Sequence, residues 1–225
     1  MIFIFHKLGI TEEIETIPPG VFEDFCRKFS SCAQLGGFKP TIAFDDGYCS
    51  DLIGQEIASN FGITTMHFLI TSRIGMPGYL NKAEVNFLAN AGAKIGSHTH
   101  NHCSLIGEPD LIWRNEILPS LDIIESILGK NACGLSVPYG RYNRTVTDYI
   151  KSKSDLKIFT SNPIMIQGSY LGRLGVNYSN VHRGPLRLMD DHHSIRRALL
   201  FIVKSLLIKF VGTQKYRLIQ SFFLK

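Results

Sequence analysis

The sequence predicts an α/β protein built on a parallel sheet, and three observations carry that prediction. Short apolar, β-branched runs alternate with longer amphipathic ones along most of the chain. Six of the short runs read as strands, which favours either a barrel or a doubly wound sheet. Residues capable of chemistry follow several of these runs directly, and α/β sheets bind their ligands at the carboxyl ends of their strands.

The strands are expected at residues 2–5, 41–44, 64–70, 94–97, 133–137 and 157–160, each a run dominated by apolar and β-branched residues. Between them, residues 21–32, 50–61, 82–91, 110–128 and 144–152 carry the spacing of amphipathic helices. Asn81 is placed as the N-cap of the third helix, while Gly92 and Gly129 are placed as stops. Pro119 falls inside the fourth helix, so a kink or restart is expected there. No internal repeat or low-complexity tract interrupts the pattern.

Composition narrows the class further. Of 225 residues, 44% are hydrophobic and 19% charged, as in a globular protein and unlike a disordered chain or a collagen-like repeat. The formal net charge is +5. Residues 190–225 hold seven basic and two acidic side chains, leaving 17 of each in residues 1–189. The excess is therefore a property of the last 36 positions, and no nucleic-acid partner is expected, because such binders spread basic residues over a folded face. Five scattered cysteines without a C-x-x-C pair form neither a disulfide framework nor a thiolate metal site, which suits a reducing compartment. Residues 1–5 are apolar but His6, Lys7 and Gly9 interrupt them, so a strand is expected there rather than a signal segment, and the expected location is the cytosol. No uncharged run reaches the roughly 18 residues of a membrane span.

The strand ends carry the chemistry. Asp45-Asp46-Gly47 follows the second strand. Adjacent carboxylates at a strand end point in different directions, so one can bind a metal while the other handles a proton, although Asp-Gly is also ordinary turn chemistry. Ser97-His98-Thr99-His100-Asn101-His102 follows the fourth. His98 and His102 are four apart and converge if the loop turns helically, and two imidazoles with one carboxylate suit a zinc-like ion with positions left open. His100, between them, is expected to point elsewhere. Pro138-Tyr139-Gly140 follows the fifth strand and would pass alone as a plain turn, and the first strand delivers His6.

These residues resemble a polysaccharide deacetylase of the NodB-homology type, carbohydrate esterase family 4. Residues 43–48, Ala-Phe-Asp-Asp-Gly-Tyr, resemble its T-F-D-D-G motif; residues 95–102 resemble G-S-H-[ST]-x-x-H; residues 136–140, Ser-Val-Pro-Tyr-Gly, resemble R-x-P-Y-G. The likeness extends from Phe5-His6-Lys7-Leu8-Gly9 to the Thr160-Ser161-Asn162-Pro163 strand end, about residues 1–180. It implies a distorted (β/α) barrel and a divalent ion, most often zinc, held by Asp46, His98 and His102. It also implies Asp45 as general base toward the attacking water. The ion and the Tyr139 backbone N–H, in the turn with Pro138 and Gly140, would stabilise the oxyanion, and a general acid would protonate the departing amine.

Two departures from the family pattern matter. The motif-three arginine that orients the base is Ser136 here, and Arg173 or Arg183 are the candidates to replace it. The usual C-terminal L-x-H motif is not evident. Some members place that strand first, in a circularly permuted order, and Phe5-His6 resembles their Y-H motif, which makes His6 the expected acid and His182 the reserve.

The expected organisation is a barrel over residues 1–189 and a basic, apolar helical tail over 190–225. Residues 194–211 are expected to form a helix apolar nearly all round with a few cations, suited either to contact with an anionic membrane surface or to burial against a partner chain. The resemblance and the tail together suggest a hydrolase that removes N-acetyl groups from an amino sugar. The sugar would belong to a surface polysaccharide, lipid-linked glycan or nucleotide-sugar precursor of lipopolysaccharide type, handled at the inner face of the membrane. A hydrolase of a non-sugar C–N bond and a silent sugar-binding module are the alternatives.

Overall fold

Each strand expected from the sequence is present, and the way the last ones pair decides between barrel and open sheet. The computed structural model describes residues 2–10, 13–162, 166–167 and 170–193. In chain order the first half contains β1 (Ile2–Phe5), β2 (Lys7–Leu8), β3 (Thr16–Ile17), α1 (Pro19–Gly36), β4 (Thr41–Asp46), α2 (Asp51–Asn60) and β5 (Thr64–Leu69). A 3-10 turn at Thr71–Arg73 leads to α3 (Lys82–Asn90) and β6 (Lys94–Ser97). One long helical stretch follows, made of α4 (Pro109–Ile112), a π turn (Trp113–Ile117) and α5 (Leu118–Leu128). Next come β7 (Leu135–Ser136), a 3-10 turn at Pro138–Gly140, α6 (Arg144–Lys153) and β8 (Ile158–Thr160). The described chain ends with β9 (Ile166–Gln167), β10 (Tyr170–Gly172), β11 (Leu174–Gly175), a 3-10 turn at Val181–Arg183 and α7 (Gly184–His193).

The main sheet runs β11-β1-β4-β5-β6-β7-β8-β10-β9, parallel throughout except for the β9–β10 pair. A single residue, Arg173, separates β10 from β11, yet β10 pairs with β8 and β11 pairs with β1. Residues 170–175 therefore bridge the two flanks of the sheet and close it into a distorted barrel. That closure rules out the doubly wound alternative.

Packing explains the outer layer. Helix α1 buries Phe22, Phe25, Cys26, Phe29 and Ala33 at helical spacing and meets Phe3 and Phe5 of β1 edge-to-face, with centroids 4.9–5.3 Å apart. Such aromatic pairs add about 0.5–1.5 kcal/mol each beyond area burial. The helix is longer than the expected 21–32 because Pro19 opens its first turn and Gly37 closes it at φ 64°. Asn81 caps α3 in a capping box with Glu84, and Gly129 ends α5 at φ 64°, both as expected.

Pro119 does not break its helix. A proline lacks the donor and crowds the carbonyl four residues back. The five residues before Leu118 open into the π turn, and the helix continues. β7 is shorter than the expected 133–137, with Leu135 and Ser136 alone in the ladder. Residues 194–225, including the expected helix at 194–211, lie outside the described residues, as does Pro163. The chain divides into two compact units, residues 1–186 and 187–225. Among the described residues no helix is long and apolar enough to cross a membrane.

Candidate metal centre and active site

Asp45 and Asp46 end β4, His98 follows β6, and His102 lies four residues further on. Parallel pairing of β4 with β5 and of β5 with β6 brings both loops to the same end of the barrel. Gly47, at φ 77°, sits where a Cβ would come within 2.9 Å of Leu69, so only glycine fits the turn after the aspartates. Gly96 plays the same part below His98, where a Cβ would meet Phe68 at 2.6 Å and the Gly134 carbonyl at 2.9 Å.

Asp46, His98 and His102 offer ligand atoms within 4.8 Å of one another. Asp46 Oδ1 is 3.5 Å from both imidazole Nε2 atoms, which are 3.2 Å apart. Three ligands at about 2.1 Å around a tetrahedral ion would stand about 3.4 Å apart. Asp46 Oδ1 is buried without a hydrogen-bond partner, an expensive state that a cation relieves. His98 Nδ1 donates to the Ser136 carbonyl at 3.0 Å, which turns Nε2 toward Asp46. Burial pushes both imidazoles down to about 4, so they are neutral and ready to ligate near pH 7. Burial also pushes the Asp46 carboxyl up to about 6, with Asp45 adding to the shift and His6 opposing it. The donor set and its orphaned oxygen fit a divalent ion.

The histidine loop is braced by the helix behind it. Glu116, in the π turn, accepts from the His100 backbone N–H through its carbonyl (3.0 Å) and from Asn101 through both carboxylate oxygens (2.8 and 3.0 Å). Ser97 meets Ser120 at 2.7 Å and accepts from the Thr99 N–H. π turns recur at functional sites because the extra residue re-aims a helix face, and here it aims Glu116 at the loop. His100 points away, as expected, with Nδ1 3.0 Å from Thr71 Oγ1. All four non-glycine residues with positive φ among those described, Asp46, Thr99, His102 and Tyr139, belong to this site. Backbone strain is concentrated where chemistry is.

Asp45, with Oδ2 3.9 Å from His98 Nε2, is held by Arg173. Its carboxylate accepts two hydrogen bonds from that guanidinium, at 2.7 and 2.9 Å, and one from Ser136 Oγ at 3.0 Å. Arg173 also donates to Ser136 Oγ and lies over the rings of Phe68 and Phe159, 4.9 and 5.8 Å from their centroids. Burial alone would raise the Asp45 carboxyl, but Arg173, followed by His98, holds it well below the usual carboxylate range. Of the two arginines the sequence nominated, Arg173 fills the place and Arg183 lies exposed beyond β11.

The ring of Tyr139 packs on His102 at 4.5 Å, so the Pro138-Tyr139-Gly140 turn borders the centre. His6, between β1 and β2, acts electrostatically on Asp46, Asp45 and His102. His182 lies elsewhere, against Tyr178 at 5.7 Å, in a cleft of about 110 Å³ shared with Asp24 and Lys28 of α1. Two larger clefts, of about 400 and 670 Å³, sit among the helices away from the strand ends.

Sequence reasoning missed the fully buried Asp51–His67 pair, 3.0 Å apart, whose imidazole stacks on Phe44. It also missed the loop carrying Arg73 and Tyr79. For His67 the one available signal was a polar residue inside an apolar run, which reads as an ordinary strand, and the Arg73–Tyr79 loop carries no local signal.

A family model for polysaccharide deacetylases matches residues 38–154. The Bacillus subtilis (strain 168) protein YxkH, whose name assigns it provisionally to the polysaccharide deacetylases, is 28% identical over 103 residues. That match covers 45% of this chain and only 37% of YxkH. The Streptococcus pyogenes deacetylase PplD, solved with acetate, superposes with a TM-score of 0.70 at 17% identity, covering 86% of this chain and 97% of that one. A Bacillus cereus polysaccharide deacetylase gives a TM-score of 0.68 at 14% identity, covering 85% and 67%. At these identities the superpositions establish the distorted barrel shared by such enzymes.

Proposed function

Because the chain belongs to the polysaccharide deacetylase family, we propose that it removes an N-acetyl group from an amino sugar, using Asp46, His98 and His102 as ligands of a divalent ion. The observation that carries this reading is the triangle of Asp46, His98 and His102 beside a separately held Asp45. Two nitrogen donors and one oxygen suit zinc. A bound ion of this kind acidifies water and polarises a carbonyl.

The remaining work falls to side chains of this chain. Asp45, fixed by Arg173 and Ser136, takes a proton from the attacking water. The fork leaves the carboxylate little rotational freedom, so its free lone pairs keep one direction. The Tyr139 backbone N–H assists the oxyanion, in a turn whose left-handed geometry (φ 57°) re-aims the peptide. An amide nitrogen leaves poorly as an anion, and His6 donates the proton it needs. The electrostatic reach of His6 to Asp46 and Asp45 supports this role over His182. The PplD structure, solved with acetate, fits acetate as the released product.

The test is acetate release from a panel of N-acetylated sugars and glycans, with metal content measured on the same protein. Asp46→Ala should lose metal and turnover together, whereas Asp45→Asn should keep metal and lose turnover. Undiminished turnover in Asp45→Asn would sink the base assignment. For residues 190–225 the proposal is peripheral contact with an anionic inner membrane surface, resting on the charge excess alone. Equal pelleting with liposomes of the full chain and a chain ending at Met189 would overturn it.

A further inference from the structure

Beside the metal triangle lies a ledge that the reaction described above does not use. Tyr48, two residues after Asp46, stacks on Tyr79 with centroids 4.9 Å apart and ring planes 23° from parallel. Arg73 lies against the same Tyr79, its guanidinium 5.1 Å from the ring centroid and hydrogen-bonded to the phenol oxygen.

The loop that carries Arg73 is fastened to both halves of the metal site. Toward the aspartates, Leu80 N–H donates to the Gly47 carbonyl (3.0 Å) and Cys49 N–H to the Gly78 carbonyl (2.9 Å). Toward the histidines, Thr71 N–H donates to the Thr99 carbonyl (3.3 Å) and Ser72 N–H to the His100 carbonyl (3.0 Å). The Arg73 charge consequently acts on Asp46, Tyr48 and His102.

Arg73 forms no ion pair among the described residues, although its charge reaches Asp46. Among the described residues no carboxylate lies within 4.0 Å of its guanidinium, whereas the nearby Lys7, over the Tyr48 ring, is paired with Glu13 at 3.4 Å. The exposed Glu15 also acts on Asp46 and His102, so the approach carries one negative group as well. A half-buried arginine whose face is covered by a tyrosine keeps most of its N–H fork for a partner outside the chain. That fork matches two oxygens of one oxyanion.

We infer that Arg73, set on the Tyr48–Tyr79 ledge, recognises an anionic group on the substrate, so that the N-acetylated sugar taken by this site carries a phosphate or a carboxylate within reach of Arg73. The sugar ring would lie along the tyrosine ledge, as apolar sugar faces do on aromatic rings, with the acetamide over the metal. This deepens the deacetylase reading and rests on it for the identity of the sugar, but anion recognition can be measured without turnover.

The test uses the full-length, zinc-loaded protein and four probes: N-acetylglucosamine, its 1-phosphate, its 6-phosphate and N-acetylmuramic acid. Calorimetric binding and acetate release are read for wild type, Arg73→Ala, Arg73→Gln and Arg73→Lys, with Arg114→Ala as a surface control. At least one anionic probe should bind about 10- to 100-fold more tightly than the neutral sugar, the strength of one good charged hydrogen-bond pair. The preference should vanish in Arg73→Ala and Arg73→Gln, return in part in Arg73→Lys, and persist in Arg114→Ala. The phosphate and carboxylate arms show which oxyanion is meant.

No preference in wild type, or a preference that survives both neutral substitutions because the anion binds the metal instead, overturns the inference. An Arg73-dependent preference without acetate release would leave the subsite standing and remove the deacetylase reading. Equal acetate release from neutral and anionic sugars in wild type would do the reverse.

Discussion

The Arg173 guanidinium grips Asp45 through two parallel hydrogen bonds of 2.7 and 2.9 Å, across 128 positions of sequence. In the family pattern the base is oriented by an arginine of the third motif, and that position is Ser136 here. The serine is part of the replacement: its hydroxyl accepts from Arg173 and donates to Asp45. A short side chain at 136 leaves room for the longer one arriving from the strand that closes the barrel.

This arrangement predicts a two-part effect of Arg173→Ala. Turnover should fall about 100-fold or more, because a loosened base loses its proton-transfer geometry. Stability should fall by about 3–5 kcal/mol, because Asp45 is left as an uncompensated buried charge. Arg173→Lys should recover stability better than turnover, since an ammonium cannot reproduce the fork. Kinetics and denaturant melts on the same preparations separate the two effects, and unchanged turnover in Arg173→Ala would refute the positioning role.

The general acid is decided by a pair of variants. His6→Ala should reduce acetate release about 100-fold, while His182→Ala, at a cleft beside α1, should leave the rate near wild type. The opposite pattern would move the acid to His182.

Glu116 should act on the metal without touching it. Its carboxylate holds Asn101 by two hydrogen bonds, bracing the loop that presents His98 and His102, while its backbone carbonyl, which an alanine would keep, accepts from His100. Removing such an outer support typically costs about 10- to 100-fold in metal affinity. Competition of Glu116→Ala against a zinc chelator measures this, with turnover restored at saturating zinc. Wild-type affinity would show that the brace is dispensable.

Metal binding should follow pH in two stages. Without the ion Asp46 titrates at about 6, raised by burial, so below that pH an incoming cation must displace its proton. Apparent affinity should therefore fall about tenfold per pH unit from about 6 downward. Near pH 4 His98 and His102 begin to hold protons as well, and the fall should steepen. The sign is the same for all three groups: each must lose a proton to ligate, so acid always weakens binding. Titrations across pH 4–8 that show flat affinity below 6 would contradict the environment assigned to Asp46.

Local patterns explain why much of this site was legible in the chain. Asp45, Asp46, His98 and His102 follow strands whose apolar runs are unmistakable, and a parallel sheet sends all such ends to one side. Arg173 was one of two candidates to replace the missing motif-three arginine, and nothing local separated it from Arg183. Arg73, Tyr79 and Glu116 were silent, since each looks like an ordinary surface residue until a neighbouring loop is placed against it.

By itself, then, the sequence determined the alternation of strands and helices, the aspartate and histidine clusters at the strand ends, and the concentration of charge in the last 36 positions. These depend on periodicity and spacing over a few residues. Tertiary structure decided that the sheet closes, that Arg173 rather than Arg183 reaches Asp45, and that Glu116 and Arg73 border the histidine loop. Those facts depend on which distant segments pair, and pairing is set by the burial of whole faces against one another, a quantity no short stretch of sequence contains.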